Sequence, residues 1–301
     1  MTSSSTTPAP ETADDSAMRG QVVLDELVKL LDLEQLEVNL FRGVSPPQSP
    51  TRVFGGQVAG QALVAAGRTV PPDRGVHSLQ AYFIRPGDPR VPIIYEAERV
   101  RDGRSFTTRR VLAIQHGEPI FSLSASFQLP QEGLEHSDPA PSGVPDPESL
   151  PDIADRTARG ENAGWVGRVP RPIDMRFVDE PAWSSRRRPS DEPVRVWMRA
   201  DGELPDDPLL HVCLLTYASD MTLLGSVVAR HDLASVRVQM ASLDHAMWFH
   251  RPFRADDWLL YTCYSPTASG SRGLATGRFT SRDGQLVATT VQEGLLRLPR
   301  K

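Results

Sequence analysis

Two cysteines, Cys213 and Cys263, stand in a chain of 301 residues. They are too few and too far apart for a zinc site or a disulfide framework, so the expectation is two reduced, buried thiols in a cytoplasmic protein. Lysine is almost missing. Lys29 and Lys301 are the only two, and arginine carries the rest of the positive charge. With a net charge of −5 the chain lacks the clustered basic surface of a nucleic-acid binder. No uninterrupted apolar run reaches membrane-spanning length. Residues 1–20 are rich in Ser, Thr, Pro and acids, hold no apolar stretch of the signal-peptide kind, and read as a disordered tail. The last residues, Leu298-Pro299-Arg300-Lys301, are not an address of the Ser-Lys-Leu type. What is present, 39% hydrophobic and 24% charged residues, suits a soluble protein with a sizeable core.

Several catalytic signatures are missing too. There is no Gly-x-Ser-x-Gly elbow, which argues against the α/β-hydrolase route to ester cleavage, and no phosphate-binding P-loop. Gly55-Gly56-Gln57-Val58-Ala59-Gly60 lacks the dinucleotide-binding spacing, and the chain does not alternate strand with helix as that fold requires. His245 and His250 could be read as metal ligands beside Asp244. On a strand they would face opposite ways, and on a helix their spacing is one residue too long to share a face. No metal and no cofactor are expected.

Residues 22–40 open with a helical period of Val and Leu, ended by Pro46, Pro47 and Pro50. Gly55-Gly56-Gln57 begins a small-residue helix to about Val70, lean enough to lie against or inside a sheet. Strand candidates follow at 77–83, 91–101, 104–115 and 119–129. Residues 130–172, proline-rich and acidic, read as a linker with room for a short helix. Strands resume at 175–178 and 194–200, helical sequence runs over 208–229, and strands return from Leu243.

The two sides of the linker match. Ser78-Leu79 with Phe83-Ile84-Arg85-Pro86 parallels Ser242-Leu243 with Phe249-His250-Arg251-Pro252. Gly103-Arg104-Ser105 parallels Ser271-Arg272-Gly273, and the turn His116-Gly117-Glu118 parallels Asp283-Gly284-Gln285. A helix followed by antiparallel strands, twice, indicates a duplicated α+β unit. The boundaries predicted are 21–129 for one unit and 173–301 for the other.

Polar groups crowd among large apolar side chains in Ser242-Leu243-Asp244-His245-Ala246-Met247-Trp248-Phe249-His250-Arg251-Pro252-Phe253. Such groups destabilise a fold unless partnered, so they point to a site. This run, with Trp258-Leu259-Leu260-Tyr261 and Thr290-Val291-Gln292-Glu293-Gly294, resembles the acyl-CoA thioesterase II family. Phe54-Gly55-Gly56-Gln57-Val58-Ala59-Gly60-Gln61-Ala62 and His77-Ser78-Leu79-Gln80-Ala81-Tyr82-Phe83 resemble its N-terminal half.

The resemblance implies a double hotdog, two tandem antiparallel sheets each wrapped around a central helix. It also implies hydrolysis of acyl-CoA by a water held by an Asp, a Thr or Ser, and a Gln. By motif position these are Asp220, Ser242 and Gln292. Asp220 would take the proton, and Ser242 and Gln292 would orient the water. The helix start at Gly55, Gly56 and Gln57 is the candidate for oxyanion donors. Asp244 and His245 are expected to scaffold the strand, and His250, Arg251 and Arg85 to be structural, with contact to CoA phosphates as the alternative for the two arginines. With Gly67 set against Asp220 in the duplication, one site per chain is expected.

The partner is the acyl-CoA substrate, and the assembly a homodimer or homotetramer. Two other functions compete. One is a non-catalytic acyl-CoA binding protein using the same tunnel. The other is a hotdog enoyl-CoA hydratase, which needs a His soon after its Asp, whereas here none follows until His231.

Overall fold

The computed structural model describes residues 13–46, 49, 51–161, 172–184, 186–233 and 238–299. Residues 1–12 of the expected tail and 162–171 of the expected linker lie outside them, as do Pro47 and Pro50.

Helix α1 (Ala13–Leu31) begins inside the segment read as a tail. The helical period of 22–40 does not run its full length. After Leu31 the chain forms a hairpin, β1 (Glu34–Glu37) and β2 (Leu40–Gly43), turning at Val38-Asn39. Leu24, Leu27, Leu31 and Leu33 are buried, whereas Leu36 is exposed. The apolar stripe that docks the helix thus ends where the hairpin starts.

Helix α2 (Gly55–Gly67) follows, then four strands: β3 (Gly75–Phe83), β4 (Ile93–Asp102), β5 (Phe106–Gln115) and β6 (Glu118–Gln128). Past a 3₁₀ turn at Pro147–Ser149 come α3 (Ile153–Ala158), β7 (Ile173–Phe177), β8 (Val194–Ala200) and α4 (Pro208–Ser219). Then come α5 (Gly225–Val228), β9 (Gln239–Ser242), β10 (Asp244–Phe249), β11 (Leu259–Ser269), β12 (Arg272–Ser281) and β13 (Leu286–Arg297). The single helix expected over 208–229 is therefore two, parted at Asp220. The Met221 N–H turns back to the Ala218 carbonyl and tightens the last turn.

Among the described residues every strand pairing is antiparallel, and the two half-sheets join into one sheet of thirteen strands. The seam is β3 against β10, with Ala246 opposite Gln80 and Met247 opposite Leu79. Each half-sheet thereby covers an edge the other would have exposed. The architecture is a double hotdog. Among the described residues no helix is long and apolar enough to cross a membrane.

The lean composition of α2 has a direct use. From Gly56 to Ala66 the helix is buried. It packs antiparallel on α4, with Gly56 at Tyr217, Gly60 at Cys213 and Gly67 at Leu209. At Gly60 an added Cβ would meet the Cys213 carbonyl oxygen at 3.2 Å, so backbone lies against backbone. The far end of α2 is tied to the sheet by Arg109, whose guanidinium is buried and donates to Thr69, Arg101, Thr108 and, at 2.6 Å, to Asp102.

The linker also packs in part. Trp197 Nε1 donates to the Pro145 carbonyl and Trp258 Nε1 to Glu148, each at 3.0 Å, while Arg282 binds Asp146 and Glu148. With Val144 and Leu150, this segment covers the outer face of β8 and β11.

Candidate active site

Asp220 is the C-terminal cap of α4, in right-handed helical backbone. A carboxylate there meets the negative end of its own helix dipole, but the positive start of α2 faces it. Phe54, the N-cap of α2, has no side chain to cap that start, and the Gly56 N–H donates to the Asp220 carboxylate instead. Asp220 is thus the cap of a helix in the other half. Gly55 makes room for it, because a Cβ there would lie 2.6 Å from Asp220 Oδ2 and 2.8 Å from the Phe83 ring.

Two further donors arrive from adjacent strands. Ser242, last residue of β9 and opposite Gly294 of β13, donates its hydroxyl proton to Asp220 Oδ1 at 3.1 Å. Gln292, on the buried face of β13, donates from Nε2 to the same oxygen at 2.7 Å. Burial is the largest influence on Asp220 and pushes its pKa above the ordinary carboxylate value. The bonds from Gln292, Ser242 and Gly56, and the charge of Arg52, pull the other way without cancelling it.

The structure therefore brings Asp220, Ser242, Gln292 and Gly56 together. Of the helix-start N–H groups of Gly55, Gly56 and Gln57 expected as oxyanion donors, that of Gly56 is engaged by Asp220, because the helix start and the acid face each other. The Gln57 side chain points away and donates to the Val44 carbonyl, Ser45 Oγ and Gln61. Gly55 alone of the three lines the cavity.

Asp244 accepts the Glu293 N–H at 2.7 Å and so holds β13 one residue beyond Gln292. His245 is buried and its Nε2 lies 2.9 Å from Ser219 Oγ. Ser219 directs its own proton to the Thr216 carbonyl, so the imidazole is the donor there. Burial lowers the His245 pKa to about 4, which keeps the ring neutral. The Tyr261 hydroxyl donates to the Ser219 carbonyl at 3.1 Å and meets Thr290 Oγ1 at 2.8 Å. Groups from β10, β11 and β13 thus hold the residue immediately before Asp220. Tyr261 and Thr290 lie within the motif runs at 258–261 and 290–294, yet nothing in the sequence marks them as neighbours of Asp220.

His250 binds Thr289 at 2.9 Å, and Arg251 donates to the Leu286 carbonyl. Arg251 is not among the residues lining the cavity, whereas Arg85 is.

Asp220 and Ser242 line a cavity of about 760 Å³ walled by both halves of the chain. Gln292 sits behind Asp220, not in the wall. The pairing of Ala246 with Val291 continues to set His245 opposite Gln292 on the inner face. On the buried face of the matching strands in the other half-sheet, Leu79 faces Ala125 and Ala81 faces Leu123, which offer no polar group. The C-cap of α2 is Arg68 in place of an acid. Among the described residues the acid, hydroxyl and amide all come from the C-terminal half.

A carboxylate so placed could serve as a base only when ionised. With Asp220 in that role, the rate should climb with pH through a limb lying above the ordinary carboxylate pKa and then level. Ser242→Ala removes a bond that favours the anion, and its limb should lie at higher pH than that of the wild type. A pH profile of kcat for both proteins checks this; a limb unmoved or shifted downward would contradict the assignment.

The family model for "Acyl-CoA thioesterase" matches residues 171–295, and that for "Acyl-CoA thioesterase N-terminal domain" matches residues 44–128. Acyl-coenzyme A thioesterase 8 of Homo sapiens is 43% identical over 283 residues, covering 89% of this chain and 88% of its own. The chain belongs to the acyl-CoA thioesterase II family. It is a thioester hydrolase. Acyl-CoA thioesterase 2 of Haemophilus influenzae is 38% identical to it over 287 residues, covering 91% of this chain and 98% of the other. A crystal structure of an acyl-CoA thioesterase II from Mycobacterium marinum superposes with a TM-score of 0.76 at 46% identity, covering 91% and 98% of the two chains. A hot dog fold protein from Alicyclobacillus acidocaldarius shares the fold at 21% identity, with a TM-score of 0.75 over 91% of this thioesterase and 99% of its own chain.

Proposed function

We propose that this thioesterase hydrolyses acyl-CoA to free fatty acid and CoA by direct attack of a water activated by Asp220. The observation that carries the reading is a carboxylate with a raised pKa on the wall of a largely apolar cavity, with Oδ1 fixed by two donors. Ser242 gives its proton to Asp220 and offers oxygen lone pairs that can accept a hydrogen from the water. Gln292 acts through Asp220, holding the carboxylate in one rotamer, and the Gly56 N–H restrains it from the other half.

The steps balance without a covalent intermediate. Water oxygen bonds to the acyl carbon as its proton passes to Asp220. The tetrahedral centre then collapses, the C–S bond breaks, and the thiolate leaves with the bonding pair. Asp220 releases its proton to the thiolate or to solvent and is ready again. A thiolate needs little help to depart, because a thiol pKa near 8.5 is far below that of an alcohol.

The deciding experiment is rapid mixing with an acyl-CoA, following thiol and free acid together. Both should appear at one rate, with no burst of thiol. A burst equal to the enzyme concentration would show an acyl-enzyme and overturn direct attack. Binding without turnover across the acyl-CoAs tried would favour the non-catalytic binding protein.

We take 21–129 and 173–301 as the two hotdog units and 130–172 as their connection. A homodimer or homotetramer in the cytoplasm is the working form. The open sheet edges at β1 and β7 support association. Two buried, unpaired cysteines, whose thiols burial pushes well above their usual range, suit a reducing compartment.

A further inference from the structure

We infer that the cavity has two arms, and that Trp183 sets how long an acyl chain the second arm accepts. The inference rests on the acyl-CoA reading above and adds the direction in which the substrate lies. Among the described residues, the charged groups lining the cavity are Asp220, Arg52 and Arg85. Both cations come from the N-terminal half and both are exposed. Arg52 donates to the Met240 carbonyl at 3.0 Å, beside Ser242, and Arg85 pairs with Glu118 at 2.9 Å. Guanidinium groups at a mouth suit the phosphates of CoA.

The other arm is defined by Met175 and Phe177 of β7, Trp183, Val194 of β8 and Val228 of α5, none of them charged. Phe177 and Val194 are buried, and the Trp183 ring meets Phe177 edge-on, with centroids 5.9 Å apart and planes at 83°. Ala182 lies so close to α5 that a Cβ on Gly225 would touch it at 3.5 Å. This wall is packed and apolar, as a hydrocarbon site should be. With the carbonyl at Asp220 and CoA toward the arginines, the acyl chain enters this arm. The indole of Trp183, its largest side chain, limits the depth.

Each methylene buried in the arm should raise kcat/KM about fourfold until the arm is full. The test is kcat/KM over straight-chain acyl-CoAs from butyryl to stearoyl. The wild type should rise and then break at one length. Trp183→Ala should move the break to longer chains, and Val228→Phe, which narrows the same arm, to shorter ones. Ile120→Ala enlarges the opposite arm and should leave the break in place. A break that ignores both Trp183→Ala and Val228→Phe, or one that moves with Ile120→Ala, overturns the assignment. If Trp183→Ala does not fold, the direction of the Val228→Phe shift decides. A wild type that hydrolyses no acyl-CoA would overturn the catalytic reading instead, so the two failures are distinct.

Discussion

Asp220→Ala should lower kcat by about 10³-fold, the scale on which a positioned general base acts. Nothing else in the cavity wall can take its place, since the other charged groups there, among the described residues, are Arg52 and Arg85. With Asp220 as the proposed base the loss should fall on kcat, because a general base serves the transition state while the cavity walls hold the ligand. Steady-state thiol release gives kcat, and titration with a nonhydrolysable acyl-CoA analogue shows whether binding survives. Analogue affinity should stay within a few-fold. Asp220→Asn makes the point more strictly. It keeps the volume but loses the base, and it sets an amide NH₂ where the Gly56 N–H needs an acceptor. Near-wild-type turnover in either variant would place the base elsewhere.

Gly56→Ala should be the most damaging of the glycine substitutions near the site. The added Cβ would overlap the Tyr217 carbonyl oxygen and press on the Phe54 ring. Backbone cannot step aside as a side chain can, so α2 and α4 must separate. Overpacking of this kind costs about 1–3 kcal/mol or more. The same shift draws the Gly56 N–H away from Asp220, so activity should fall with stability. Thermal melting and kcat measured on one preparation check both. Gly75→Ala is the control, since a Cβ there has nothing within 4 Å and its Tm should stay put. A Gly56→Ala protein with unchanged Tm would mean that the helices do not approach as closely as described.

Much of the framework is legible in the sequence, for local reasons. Residues of period two, bounded by Gly and by turns such as His116-Gly117, mark β3 to β6 within a few residues. The first of those turns is real in the backbone, with His116 and Gly117 both in left-handed conformation. The duplication is legible because both copies keep the same order of turns. Helix ends are harder. Leucines continue past Leu31, and nothing nearby forbids a helix to Leu36. The break at Asp220 lies in a run, Ser219-Asp220-Met221-Thr222, with no proline or glycine to announce it.

The site divides in the same way. Asp220, Ser242 and Gln292 are marked by resemblance to the family's motifs, and the structure sets the last two on the carboxylate of the first. The place of Gly56 cannot be read so. A glycine after a strand break suggests donors open to a ligand, and only the α2–α4 packing shows its N–H already bound to Asp220.

What the sequence alone determined is the lean helix and the doubling of the unit, which follow from side-chain type and from spacing along the chain. The acid, the hydroxyl and the amide are marked by resemblance to the family's motifs. The tertiary structure alone decided that one half caps its helix with the other half's acid, and that both halves wall one cavity. Those arrangements depend on how closely two distant helices approach and on the register of β3 with β10. Local pattern carries neither.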